Sequence, residues 1–96
     1  MNIMTSTNIA HHQDKNCFIL SAEIAGQPDQ LEAKLEYEWL GSDAVDFTHT
    51  YVPPAFRGKG YAAKLVKTGL AWAQQQGFRI EASCSYVDKI IARNQR

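Results

Sequence analysis

The stretch Val52-Pro53-Pro54-Ala55-Phe56-Arg57-Gly58-Lys59-Gly60-Tyr61-Ala62-Ala63 decides the fold, because the hydrophobic period changes across it. Upstream, apolar residues alternate with a period of two; downstream, Ala62, Leu65, Val66, Gly69, Leu70 and Ala73 recur on one helical face. Pro53 and Pro54 end the strand, since proline cannot donate to a ladder. The segment is therefore a junction between a strand and a helix N-terminus. Backbone N–H groups there lack intrahelical partners and the helix dipole adds partial positive charge, a combination suited to a phosphate. Gly58 and Gly60 let the backbone approach an anion closely, and Arg57 and Lys59 bring full charges.

Working outward, Phe18, Leu20, Ala22 and Ile24 read as a strand, followed by a turn at Gly26, Pro28 and Asp29. Leu31, Ala33, Leu35, Tyr37 and Trp39 then alternate with Glu32, Lys34, Glu36 and Glu38, which predicts a strand with one wet face, as in antiparallel sheets. After a turn at Gly41, Ser42 and Asp43, a third strand continues the odd parity through Val45, Phe47, His49 and Tyr51. Beyond the helix, Gly77 stands where a left-handed residue closes a C-terminus. Phe78, Ile80, Ala82 and Cys84 share the parity of a fourth strand, and Val87, Ile90 and Ile91 predict a short closing helix. The expected fold class is α/β (α+β): an antiparallel meander, then a strand-helix-strand crossover whose strands are parallel, then the short helix.

Ninety-six residues fit one domain, read as residues 15–96 after a flexible polar leader, 1–14, that contains His11 and His12. The formal net charge is zero, unlike that of a nucleic-acid binder, but the zero conceals a division. Residues 1–56 carry a balance of −6 and residues 57–96 a balance of +6, the change of sign falling at Arg57. No apolar run approaches the roughly 18 residues that span a bilayer, and no basic cluster leads into an apolar stretch at the start, so a cytoplasmic location and no membrane partner are expected. Cys17 and Cys84 are far apart and form no metal-type pair, so neither a disulfide scaffold nor a metal site is expected.

Three phosphate-binding patterns compete at the junction. A Walker-type loop requires a longer glycine spacing ending in Lys-Ser or Lys-Thr, which is absent. The run 58–63 fits the dinucleotide fingerprint G-x-G-x-x-A, with Glu81 about twenty residues later, but residues 53–57 intervene after the strand and the chain is short for a doubly wound domain. The third pattern is a resemblance. Arg57, Gly60 and Ala62 match R/Q-x-x-G-x-G/A, and with the blocks 49–53 and 84–87 the chain resembles the minimal, single-domain members of the GNAT superfamily of N-acetyltransferases from about Phe18 to Asn94.

That resemblance implies acetyl-CoA as cosubstrate and an amine as acceptor, in a monomer or weak homodimer. It places the pyrophosphate on the backbone of Arg57, Gly58, Lys59, Gly60, Tyr61 and Ala62, the pantetheine arm beside Tyr51 and Val52, and Asn94 near the cofactor. Lys59, Lys64 and Lys67 are candidates to assist the outer phosphates. A lysine-like amine is neutral in only about one molecule in a few thousand at pH 7, so transfer needs a base, a water relay or desolvation. His49 is the histidine of the motif region and a candidate base, or alternatively a hydrogen-bonded core residue sharing the parity of Val45 and Phe47. Cys84 is either a small hydrophobe or, as the resemblance implies, a thiol near that of CoA; Tyr86 is a candidate proton donor to the departing thiolate, or a packing aromatic. Thr50 is a weaker candidate. Direct attack by the amine is the expected mechanism, and a non-catalytic acyl-CoA-binding module is the alternative function, because the two acceptor-site helices of longer members have only the turn 27–30 in their place.

Overall fold

The computed structural model describes residues 7–22 and 31–94. Five strands form one sheet in the order β1-β2-β3-β4-β5: β1 Thr7–His12, β2 Cys17–Ala22, β3 Leu31–Trp39, β4 Ala44–Tyr51 and β5 Arg79–Ala82. The first four are antiparallel neighbours, and β5 pairs with β4 in parallel. Helix α1, Tyr61–Gln76, joins β4 to β5, and α2, Ser85–Asn94, closes the described chain. This is the expected meander followed by a strand-helix-strand unit. The proposed turn at 26–29, with Ile24 before it, lies outside the described residues.

Alternation in the sequence becomes two faces in the sheet. Phe18, Leu20, Ala33, Leu35, Tyr37, Val45 and Phe47 are buried under α1, while Glu32, Lys34, Glu36 and Glu38 stand exposed on the other side. A 16-residue helix is marginal alone in water, so packing must hold it. Leu65, Val66, Leu70 and Ala73 are buried, each large side chain contributing about 1.5–3 kcal/mol relative to exposure. Gly69 sets how closely α1 approaches the sheet: a Cβ there would lie 2.7 Å from Leu35 Cδ2 and 3.2 Å from Phe47 Cε1. Gly77 ends the helix at φ 76°, its N–H reaching the carbonyls of Ala73 and Gln74. Helix α2 inserts Val87 and Ile90 and packs against β4, β5 and α1.

The structure corrects the polar leader from residue 7 onward, because β1 pairs with β2 along its whole length. Its inward positions, Thr7, Ile9 and His11, oppose Ala22, Leu20 and Phe18. The His11 ring stacks on Phe18 with centroids 4.0 Å apart, meets the edge of Trp72, and shares a 2.7 Å hydrogen bond between Nε2 and the Tyr37 hydroxyl. Burial and the neighbouring His12 lower the pKa of His11, and burial raises that of Tyr37. A histidine with one flat apolar partner and one polar partner thus takes the place of a core hydrophobe.

Two strand ends also differ from expectation. The fourth strand of the sequence reading stops at Ala82, so Cys84 belongs to the connection into α2. In β4 the pairs Tyr37↔Phe47 and Glu36↔His49 leave Thr48 without a partner. This bulge inserts one residue, and because strand side chains alternate, it exchanges the faces of everything after it. Val45 and Phe47 are core, but His49 and Tyr51 are exposed, and Thr50 has moved to the helix side.

Candidate functional site

The site begins where two parallel strands separate. β4 and β5 pair only from Ala44↔Arg79 to Phe47↔Ala82, and the Cys84 N–H makes one further 3.0 Å bond to the Phe47 carbonyl. Beyond it, β4 continues along β3 while the chain after Ala82 turns away into α2. Asp46 fixes that departure, accepting from the Ser83 N–H at 2.8 Å and from its hydroxyl at 2.6 Å. The gap between the parting chains opens into a cleft of about 430 Å³ lined by Thr50, Val52, Phe56, Arg57, Gly58, Gly60, Tyr61, Ala62 and Tyr86.

One end of the cleft is the N-terminus of α1. A single 3-10 turn, Pro54–Phe56, buries Phe56 against the core, edge-on to Tyr61, and so pins the loop that follows. Gly58 at φ 80° and Gly60 at φ 77° are both left-handed, the conformation that favours glycine. A Cβ at either would meet nothing within 4 Å, so the protein itself does not crowd the cleft side of this loop. Gly60 is the N-cap and offers no side-chain acceptor; no acidic residue sits in the first turn. The usual compensation for exposed N–H groups and the positive dipole end is therefore missing. Arg57 and Lys59, both exposed, add charge of the same sign.

At the other end, the bulge brings Thr50 to the cleft. Its hydroxyl lies 3.4 Å from Cys84 Sγ, across the gap. Cys84 immediately precedes α2, its carbonyl accepting from Asp88 N–H at 3.1 Å. Burial pushes the Cys84 thiol up, but hydrogen bonds from the Thr50 hydroxyl and from the backbone N–H groups of Val87 and Tyr86 outweigh it, and the thiol lies below the ordinary cysteine value. The sulfur thus occupies the N-cap position that a serine or aspartate commonly fills. Cys17, by contrast, is buried, and its thiol is pushed up by that burial.

Of the residues expected at the site, the structure brings together Val52, Arg57, Gly58, Gly60, Tyr61, Ala62 and Tyr86, with Cys84 joined to the cleft through Thr50. Lys59 lies in the same loop without lining the cleft. His49 and Tyr51 are not brought there: the bulge turns both to the open face, His49 opposite Glu36 and Tyr51 opposite Lys34. Asn94 is the last residue of α2, and its side chain lies outside the described residues. Thr50 gains most from the structure. Its place depends on the unpaired Thr48, and a threonine there looks like any other strand residue, so the sequence carries no signal for it.

An antiparallel meander that runs into a strand-helix-strand unit, with its parallel strands parting above an uncapped, glycine-rich helix N-terminus, is the architecture of a small GNAT-type N-acetyltransferase domain. Comparison with known sequences agrees: residues 21–96 match the family described as GCN5-related N-acetyl-transferase, and the chain belongs to that family. It is 32% identical over 94 residues to Protein NATD1 of Xenopus tropicalis, covering 98% of this chain and 83% of that protein. Protein NATD1 of Danio rerio is 30% identical over 94 residues, covering 98% and 82%. Protein NATD1 of Bos taurus is 39% identical over 62 residues, covering 65% of this chain and 55% of that protein.

Proposed function

We propose that the protein transfers an acetyl group from acetyl-CoA to a primary amine. The observation that carries this reading is the cleft, which joins two unlike environments. Around Gly58, Gly60 and the first turn of α1, unpaired N–H groups, the dipole and two cations suit the pyrophosphate. Along β4 beyond Phe47, the edge turned away from β3 offers backbone N–H and C=O groups to the two amides of a pantetheine arm, which lies there as an added strand would.

An arm laid in this direction carries its thioester towards Thr50, Cys84 and Tyr86. The amine nitrogen attacks the carbonyl carbon, the new C–N bond forms as the C–S bond breaks, and the CoA thiolate leaves. Tyr86, on the cleft wall, is the residue we assign as proton donor to that sulfur. The open side of the cleft admits water to take the proton released by the amine. His49 takes no part in this path.

A second reading routes the acetyl group through Cys84, and the hydrogen bonds that favour its thiolate are the observation behind it. Mass spectrometry after mixing with acetyl-CoA separates the two: direct attack leaves no adduct, whereas a kinetically competent, hydroxylamine-labile acetyl group on Cys84 establishes the relay. The reading as a whole is tested by calorimetric titration with acetyl-CoA, with a nicotinamide dinucleotide as control, and then by turnover with an amine panel. Absence of binding at millimolar acetyl-CoA refutes it; tight binding without any acetylated product reduces it to an acyl-CoA-binding module.

A further inference from the structure

The chain contains two cysteines, and the fold holds them apart. Cys17 lies on β2 next to the inward-facing Phe18, so its side chain points away from α1, opposite Glu36. Cys84 lies past the end of β5, beside Thr50 on the helix side. From β2 to β5 the sheet crosses three strand spacings, about 14 Å, whereas a disulfide needs Cα atoms within about 7 Å. Oxidation of Cys84 to a disulfide therefore finds no partner thiol in its own chain and must take one from outside.

The cleft is where that partner arrives. Three donors, the Thr50 hydroxyl and the N–H groups of Val87 and Tyr86, are aimed at Cys84 Sγ, and Thr50 and Tyr86 also line the cleft. An arm with its pyrophosphate at Gly58 and Gly60 and its amides along β4 ends between these two residues, so the CoA sulfur and Cys84 Sγ share the same neighbours. In direct acetyl transfer the Cys84 sulfur forms no bond, and the reaction leaves those three donors unexplained. Cys17 is buried and its thiol is pushed up by that burial, so access and thiolate character both favour Cys84 as the reactive cysteine.

We propose that Cys84 is a redox-modification site for CoA itself: exchange with a disulfide of CoA leaves CoA joined to Cys84, filling the cleft and halting acetyl transfer until a thiol releases it. The inference rests on the CoA reading of the cleft and adds a regulation of that site. The Cys84 thiolate attacks the sulfur of the docked CoA half, the new S–S bond forms as the old one breaks, and the other CoA leaves as a thiolate that takes up a proton. Cys84 is oxidised and one CoA is reduced. The loop at 57–62 makes the exchange selective. A disulfide with its CoA half docked reacts as an intramolecular partner, at an effective concentration of about millimolar, whereas glutathione disulfide has no pyrophosphate to dock and reacts by collision alone.

Mass spectrometry with peptide mapping, after incubation with CoA disulfide or glutathione disulfide at equal micromolar concentrations, tests it. The expected result is a CoA adduct on Cys84 that forms at least about tenfold faster than the glutathione adduct, is slowed by acetyl-CoA and is removed by dithiothreitol. Calorimetry should then find that the modified protein no longer binds acetyl-CoA. Gly60→Val, which loses the docking but keeps Cys84, should react with both disulfides at the glutathione rate, and Cys84→Ser should gain no adduct. Equal rates for the two disulfides in the wild-type protein, an adduct on Cys17 in place of Cys84, or undiminished acetyl-CoA binding after modification overturns the proposal. Wild-type protein that binds acetyl-CoA yet gains no adduct overturns it while leaving the cleft reading intact, and absence of acetyl-CoA binding by the unmodified protein removes both.

Discussion

Gly69→Ala is the substitution whose outcome the structure determines most sharply. In an exposed helix position the change stabilises by about 1 kcal/mol, because alanine restricts the unfolded chain and suits the helix. At residue 69 the new methyl lies 2.7 Å from Leu35 Cδ2, 3.2 Å from Phe47 Cε1 and 3.5 Å from Phe18 Cε1. Leu35, Phe47 and Phe18 are fully or almost fully buried, so none can swing into solvent. Relief requires α1 to rise from the sheet or Leu35 to leave its rotamer, and overpacking of this kind costs about 1–3 kcal/mol. The net expectation is a loss of about 1 kcal/mol, or roughly 4–8 °C in Tm for a chain of this size. Chemical denaturation measures it, with Ala71→Gly, an exposed position on the same helix, reporting the propensity term alone. Leu35→Val removes the offending methyl, so the double variant should lose less than the sum of the two single changes, by about 1 kcal/mol. An alanine at 69 that matches or exceeds wild-type stability, or strict additivity with Leu35→Val, refutes the close approach.

Gly60→Val forces a β-branched residue to positive φ and places its side chain in the cleft, so the protein stays folded with a cost of about 1–2 kcal/mol while calorimetry detects no acetyl-CoA binding. Thr50→Val keeps the side-chain shape but removes the hydroxyl from Cys84, so the pH profile of Cys84 alkylation by iodoacetamide moves to higher pH, and Thr50→Ser restores it; an unmoved profile shows that the contact carries no weight. His11 has a lowered pKa in the fold, so the unfolded state binds more protons and stability falls as pH drops below about 6.5. His11→Gln should reduce the difference in unfolding free energy between pH 8 and pH 5, measured by urea titration, and a difference equal to that of wild type removes His11 as its source.

The parts of the fold that were legible in the sequence share one property: a burial pattern long enough to fix its own period. β3 alternates without interruption from Leu31 to Tyr37, and α1 repeats its apolar positions over about three turns, so the parallel pairing of β4 with β5 followed from their order. β1 was hidden because Ile9 is its one large aliphatic residue, and its key inward residue, His11, is hydrophilic until it finds Phe18 and Tyr37. At the site, the glycine loop was legible because positive φ and an exposed helix end demand particular residues. The positions of His49 and Thr50 were not, because a bulge adds a residue without demanding any special one: Thr48 is as good a strand residue as its neighbours.

That bulge divides β4 into two segments that answer to different demands. Val45 and Phe47 must fit the underside of α1, and a change in either disturbs the packing of the whole sheet. Thr50 and Val52, one unpaired residue further on, face the cleft, where neighbours are fewer and a bound molecule sets the requirement. A single strand thus presents a conservative half and an adaptable half, with Thr48 as the seam. Descendants of such a chain can alter the lining of the cleft at 50 and 52 without asking the core to repack, so its shape and polarity can change by point substitutions that cost little stability.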